Sequence, residues 1–216
     1  MGLYQAIFFD LDGTIVNSEQ GILESVKYSL SSFGIFEENS SFLRQIIGPP
    51  LETSFINLFH LTPDQTKQAI ALYRERYAEK GVNEFSLYDD IKEVIQILYQ
   101  AGVQLAVATS KPTHFSKQML ASANLLDFFK IVSGSDPGRD LDKTTVIEHA
   151  MKNFEEVACS KILMVGDRKF DILGAHVHGL HSCAVTYGFG SYDELQSAQP
   201  TYIIDTPKDL LQILQM

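Results

Sequence analysis

Short apolar runs alternate along this chain with longer stretches of helical periodicity. The runs are Ala6-Ile7-Phe8-Phe9, Gln104-Leu105-Ala106-Val107-Ala108, Lys130-Ile131-Val132, Lys161-Ile162-Leu163-Met164-Val165, Ser182-Cys183-Ala184-Val185 and Tyr202-Ile203-Ile204. Each is too short for a stable helix and is flanked by Gly, Asp, Ser or Pro, so each reads as a buried strand. Between them Ile91, Val94, Ile95 and Leu98 recur at helical spacing. So do Val146, Ile147, Ala150, Met151 and Phe154, which predict a helix over 144–154 opened by Lys143. Strands separated by amphipathic helices give an α/β fold, with a parallel sheet covered on both faces.

One stretch breaks this rhythm. From Asn17 to Glu84 helical patterns dominate, punctuated by Gly34, Pro49-Pro50 and Pro63. Thr62-Pro63-Asp64-Gln65 reads as a helix start, with Thr62 at the cap and Pro63 at the first helical position. The reading is a core built from 1–16 and 85–216, with a helical insert over 17–84. At 216 residues the chain can bury a core of useful size.

Charge and composition narrow the function. Lys and Arg number 17 against 27 Asp and Glu, a formal charge of −10. Nucleic-acid binding normally leaves a basic patch or stripe, so no nucleic-acid partner is expected. A small anionic substrate remains compatible, because a metal ion can reverse the local field. No run of about 18 apolar residues occurs, so no membrane span is expected. The start, Met1-Gly2-Leu3-Tyr4-Gln5, lacks the basic and apolar regions of a secretory signal, and Ala6 replaces the Ser or Thr that myristoylation of Gly2 requires. Cys159 and Cys183 form neither a disulfide framework nor a zinc site and read as reduced, mostly buried thiols of a cytoplasmic protein.

Chemistry concentrates where strands end. Phe8-Phe9-Asp10-Leu11-Asp12-Gly13-Thr14 places two carboxylates just after an apolar strand. Ligands of open parallel sheets bind outside the carboxyl ends of the strands. An Asx-rich turn would account for the same residues without a ligand. Val165-Gly166-Asp167-Arg168-Lys169-Phe170-Asp171 repeats the pattern, with Asp171 about one helical turn beyond Asp167. A helix start decorated with Asp is the alternative there. Four carboxylates converging at one sheet end would repel unless a cation lies among them, and hard oxygen ligands suit Mg²⁺. Val107-Ala108-Thr109-Ser110-Lys111-Pro112 offers hydroxyls and backbone N–H groups to a phosphoryl oxygen, or is simply a helix cap. Lys143 at a helix start opposes the dipole and makes better sense facing an anion, unless it is merely solvated.

Taken in order, Asp10-Leu11-Asp12-Gly13-Thr14, Thr109, Lys143, and Gly166-Asp167 with Asp171 resemble the haloacid dehalogenase superfamily, most closely its phosphoglycolate phosphatase-like branch. The resemblance covers nearly the whole chain. It implies a Rossmann-like core, a small mobile helical cap inserted after the first strand, Mg²⁺, and an aspartyl-phosphate intermediate. It assigns Asp10 as nucleophile and Asp12 as general acid and base. The metal would be held by Asp10, the backbone carbonyl of Asp12 and Asp167, with Asp171 supporting the site. Thr109, Ser110 and Lys143 would bind the phosphoryl group. Gly48 and Pro49, in Gly48-Pro49-Pro50-Leu51, would form the cap's substrate loop, and nearby Arg44 could meet an anionic leaving group. Asp12 separates phosphate-ester enzymes from dehalogenases in this superfamily. Two positions depart from the branch pattern: Leu87-Tyr88-Asp89-Asp90-Ile91 lacks a common glycine, and Lys143 is followed by Thr144 rather than proline.

The expected activity is hydrolysis of a small phosphate monoester such as phosphoglycolate, a nucleotide or a sugar phosphate, by a monomer or homodimer. The alternatives are a phosphomutase of the β-phosphoglucomutase kind, a receiver-like signalling module, and a catalytically silent binding protein on the same fold. His176, His178 and His181 lack zinc-ligand spacing, and Gly188-Phe189-Gly190 lacks the full dinucleotide fingerprint and reads as a loop.

Overall fold

The computed structural model describes residues 3–135 and 141–215. Met1 and Gly2, on which the N-terminal reading partly rests, lie outside the described residues. The chain divides into two compact units, Met1–Asn17 with Leu87–Met216, and Ser18–Ser86.

The first unit is built on a six-stranded parallel sheet. Its strands are β1 (Ala6–Phe9), β4 (Gln104–Pro112), β5 (Ile131–Ser135), β6 (Ile162–Gly166), β7 (His181–Val185) and β8 (Tyr202–Ile204). Two short strands that the sequence does not announce, β2 (Val16–Asn17) and β3 (Ser86–Leu87), pair as a separate two-stranded sheet. The order in the large sheet is β5-β4-β1-β6-β7-β8. The chain therefore moves outward through β4 and β5, then returns to the other side of β1. That reversal brings the carboxyl ends of β4, β1 and β6 side by side, at the kind of switch point where open α/β sheets bind ligands.

Burial explains why these runs are strands. All four residues of β1 are buried, and successive side chains serve opposite faces. Phe8 meets Phe154 with ring centroids 4.8 Å apart, while Phe9 meets Phe129 at 6.4 Å. Helix α5 (Ile91–Gln100) buries Ile91, Val94, Ile95 and Leu98, the residues its periodicity marks. Helix α7 (Lys143–Met151) buries Val146, Ile147 and Ala150 against the sheet, and its Asp142 cap accepts from the Thr145 N–H. It stops three residues short of the expected 154. The chain tightens there: Asn153 N–H donates to Ala150 O and Phe154 N–H to Met151 O, and Phe154 returns to the core from a turn. Helices α6 (Thr113–Ser122), α8 (Lys169–Val177), α9 (Tyr192–Ser197) and α10 (Asp209–Ile213) complete this unit.

The second unit holds α1 (Glu19–Ser31), α2 (Ser40–Leu43), α3 (Leu51–Phe59) and α4 (Pro63–Glu79). Thr62 caps α4 as its sequence predicts. Its hydroxyl accepts from the Gln65 N–H, the Gln65 side chain accepts from the Thr62 N–H, and Pro63 fills the first turn.

Cys183 is buried, but Cys159 is exposed, contrary to the expectation of two mostly buried thiols. Cys159 falls in a 3₁₀ turn, Cys159–Lys161, that leads into β6 rather than in the strand. Among the described residues no helix is long and apolar enough to cross a membrane. Because Phe154 is 1% exposed and packs on Phe8, Phe154→Ala should cost about 3–5 kcal/mol of stability. Urea unfolding should show a lower midpoint with an unchanged slope.

Candidate active site

Asp10 follows β1 directly, and its N–H donates to Val165 O of β6 at 2.8 Å. The chain then turns sharply. Leu11 O accepts from the Ile15 and Val16 N–H groups, and Gly13 N–H donates to Val16 O at 2.8 Å. The turn needs Gly13, whose φ is +81°. Asp167 follows β6, and Asp171 lies in the first turn of α8. Arg168 N–H donates to Asp171 Oδ2 at 2.9 Å, so this carboxylate also caps its own helix.

Strand order brings three of these carboxylates together. Oxygens of Asp10, Asp167 and Asp171 lie within 4.8 Å of one another, and all three residues are buried. Lys143 supplies the cation in their midst. Its Nζ lies 2.8 Å from Asp10 Oδ2 and 2.8 Å from Asp171 Oδ1, and donates to Ala108 O at 3.1 Å. The anion that a lysine at this helix start needs is therefore a pair of aspartates.

The electrostatics follow from burial. Desolvation raises the Asp167 carboxyl well above the usual range, and repulsion from Asp171 and Asp10 adds to it. Asp171 is pushed up to about 6: burial outweighs the pull of Lys143, and Asp10 repels. Burial pulls Lys143 towards its neutral form, but Asp10 and Asp171 prevail and hold it above the ordinary lysine value. Three carboxylates face one ammonium, which leaves two formal negative charges in a buried site. A hard divalent cation fits both that charge and an all-oxygen donor set.

Asp12, expected near the metal through its backbone carbonyl, turns its carboxylate elsewhere. Lys111 Nζ lies 2.9 Å from Asp12 Oδ1 and 2.7 Å from Oδ2, a bidentate contact. Two aspartates two residues apart thus have separate lysines. Thr109 is 2% exposed, and its Oγ1 accepts from the Lys111 N–H at 3.3 Å. Ser110 is exposed. These residues belong to β4 rather than to a turn, in the stretch where its register with β5 shifts between Ala108 and Pro112.

Gly48, Pro49 and Arg44 belong to the second unit. Gly48 is exposed with φ +108°, Pro49 is half-buried, and Arg44 Nε donates to Glu19 Oε1 at 2.6 Å. The histidines engage different partners: His176 meets Ser182 Oγ, His178 meets Thr144 O, and His181 meets the Tyr4 hydroxyl. A cavity of about 330 Å³ beside Tyr99, Gln104 and Phe128 lies at the amino end of β4, away from the carboxylates.

Sequence reasoning missed two parts of the site. Lys111 stood beside Thr109 in the quoted run, but nothing local announces its pairing with Asp12. The Gly188-Phe189-Gly190 loop also reaches the site, where Phe189 N–H donates to Asp167 Oδ2 at 2.8 Å. It acts through backbone, which residue type does not reveal.

Comparison with known proteins agrees with this geometry. Residues 7–185 match the family model of haloacid dehalogenase-like hydrolases. A Pseudomonas aeruginosa protein described as a 5′-nucleotidase is 37% identical over 98% of this chain and 96% of its own. A phosphoglycolate phosphatase of Aliivibrio fischeri is 29% identical over 97% of this chain and 96% of its own. The solved structure of a protein described as a phosphatase from Clostridium difficile superposes with a TM-score of 0.92 at 40% identity, covering 98% of each chain. With its parallel sheet, its ordered carboxylates and a family match that spans most of its length, this chain belongs to the haloacid dehalogenase-like hydrolases.

Proposed function

We propose that this protein is a Mg²⁺-dependent phosphatase that hydrolyses a small phosphate monoester through an aspartyl-phosphate on Asp10. The observation that carries the reading is the division of labour between the aspartates. Asp10 shares the buried Lys143 with Asp171, while Asp12 is held apart by Lys111. Phosphatases among the close relatives support the same chemistry, and the relative described as a 5′-nucleotidase makes nucleoside 5′-monophosphates the first esters to try.

When bound, Mg²⁺ would neutralise phosphoryl charge and help orient the substrate, held by Asp10, Asp167 and Asp171 with the Asp12 carbonyl. An Asp10 carboxylate oxygen attacks phosphorus, and the bond from phosphorus to the ester oxygen breaks. Asp12, once protonated, gives its proton to the departing alkoxide. Protonation also ends its charge attraction to Lys111, which frees the side chain. Water then attacks the phosphorylated Asp10 as Asp12 takes a proton from it. Inorganic phosphate leaves and Asp10 is restored. Lys143 holds Asp10 in line, and with Thr109 and the N–H groups near Ser110 spreads the charge of the transferring group. Gly48 and Pro49 in the helical unit are assigned to the substrate loop by family likeness.

The reading is tested by measuring phosphate release from nucleoside 5′-monophosphates, phosphoglycolate and hexose phosphates, with and without Mg²⁺. Release should require Mg²⁺ and vanish in Asp10→Asn, which should keep its fold by circular dichroism. Metal-independent release, or release by Asp10→Asn, would contradict it. Lys111→Ala should lower kcat about ten- to a hundredfold, less than the roughly 10²–10⁴-fold effect expected for Asp12→Asn. An effect confined to KM would argue that Lys111 does not act through Asp12. Adding Mg²⁺ to the metal-free protein should raise Tm at pH 7.5. As pH falls through about 6, protons on Asp171 and Asp167 compete with the metal, so the Tm gain should shrink by pH 5. A larger gain at the lower pH would contradict the assigned ligands.

A further inference from the structure

The loop after β7, Tyr187-Gly188-Phe189-Gly190, closes on Asp167. Its Phe189 N–H takes Asp167 Oδ2 at 2.8 Å, and the Thr14 hydroxyl reaches Oδ1 at 3.4 Å. Glycine backbone walls in the rest. A Cβ at Gly13 would overlap the Asp167 carboxylate. One at Gly188 would overlap Asp167 Cβ and the Gly13 carbonyl, and one at Gly190 the Asp167 carbonyl oxygen. Tyr187 ties the loop to the turn after β1, its hydroxyl donating to Thr14 O at 3.1 Å. The result is an aspartate with 0% exposure and little freedom of rotamer.

We infer that this loop is a positioning element that sets the cation selectivity of the site, favouring a small ion such as Mg²⁺ over the larger Ca²⁺. The inference rests on the metal-dependent reading above. Mg²⁺ demands near-octahedral geometry at about 2.0–2.1 Å, whereas Ca²⁺ accepts looser shells at about 2.3–2.6 Å. A carboxylate pinned by an amide and by backbone on several sides serves the first demand. A carboxylate free to shift serves the second at least as well. Moving Asp167 from this fixed position, by a crowding methyl at Gly188 or by loss of the Tyr187 tether, should therefore harm Mg²⁺ binding more than Ca²⁺ binding.

The test is calorimetric titration of the metal-free, full-length protein with MgCl₂ and, separately, CaCl₂. In Gly188→Ala, Mg²⁺ affinity should fall about 10–100-fold, the usual effect of disturbing groups that orient a metal ligand. Ca²⁺ affinity should change less than about threefold, since its shell adapts. Tyr187→Phe removes only the tether and should move the Mg²⁺/Ca²⁺ ratio in the same direction by a smaller factor. Circular dichroism and the metal-free Tm establish folding, and if Gly188→Ala does not fold, Tyr187→Phe decides alone. Equal loss for both ions, or unchanged Mg²⁺ affinity in the folded variants, overturns the inference. Wild-type protein that binds neither ion overturns the metal-dependent reading itself.

Discussion

The ion pairs of Lys143 make the site sustainable. Three buried carboxylates at one sheet end repel each other and lose hydration, and a single ammonium bridges two of them at 2.8 Å each. The ammonium is there because α7 packs Val146, Ile147 and Ala150 on the sheet, and because Ser133 Oγ of β5 donates to Val146 O at 2.8 Å. Apolar burial thus sets where a charge goes. Lys143 satisfies one of the three negative charges and leaves the remainder for a divalent ion, so the lysine both steadies the carboxylates and leaves the cluster anionic.

The same economy separates the two aspartates after β1. Asp10 faces Lys143 across the strand ends, while the turn through Gly13 carries Asp12 to Lys111. Residues two apart in an extended segment point to the same side, and only the turn and the local irregularity of β4 let them meet different cations. A carboxylate that must act as nucleophile and one that must exchange protons need different surroundings, and two lysines on different elements supply them.

Much of this was legible in the residues themselves. The six apolar runs are the six parallel strands, within a residue or a few at their ends. The stripe on α5 and the start of α4, with Thr62 at the cap and Pro63 in the first turn, follow directly from local pattern. The end of α7 was not legible, because Phe154 keeps helical spacing yet reaches the core from a turn stabilised by Asn153. Nor was the exposure of Cys159, which depends on a turn before β6 rather than on residue type.

For the site, the division is sharper. Sequence alone determined which residues could do chemistry, since a carboxylate after a buried strand and before a glycine turn is a local statement. Tertiary structure decided which of them meet. Lys111 finds Asp12 across 99 positions, and the amide of Phe189 finds Asp167 across 22. Those distances in sequence are bridged by strand order and by backbone approach. Neither leaves a trace in hydrophobic period or residue type, because both are set by how the sheet packs as a whole.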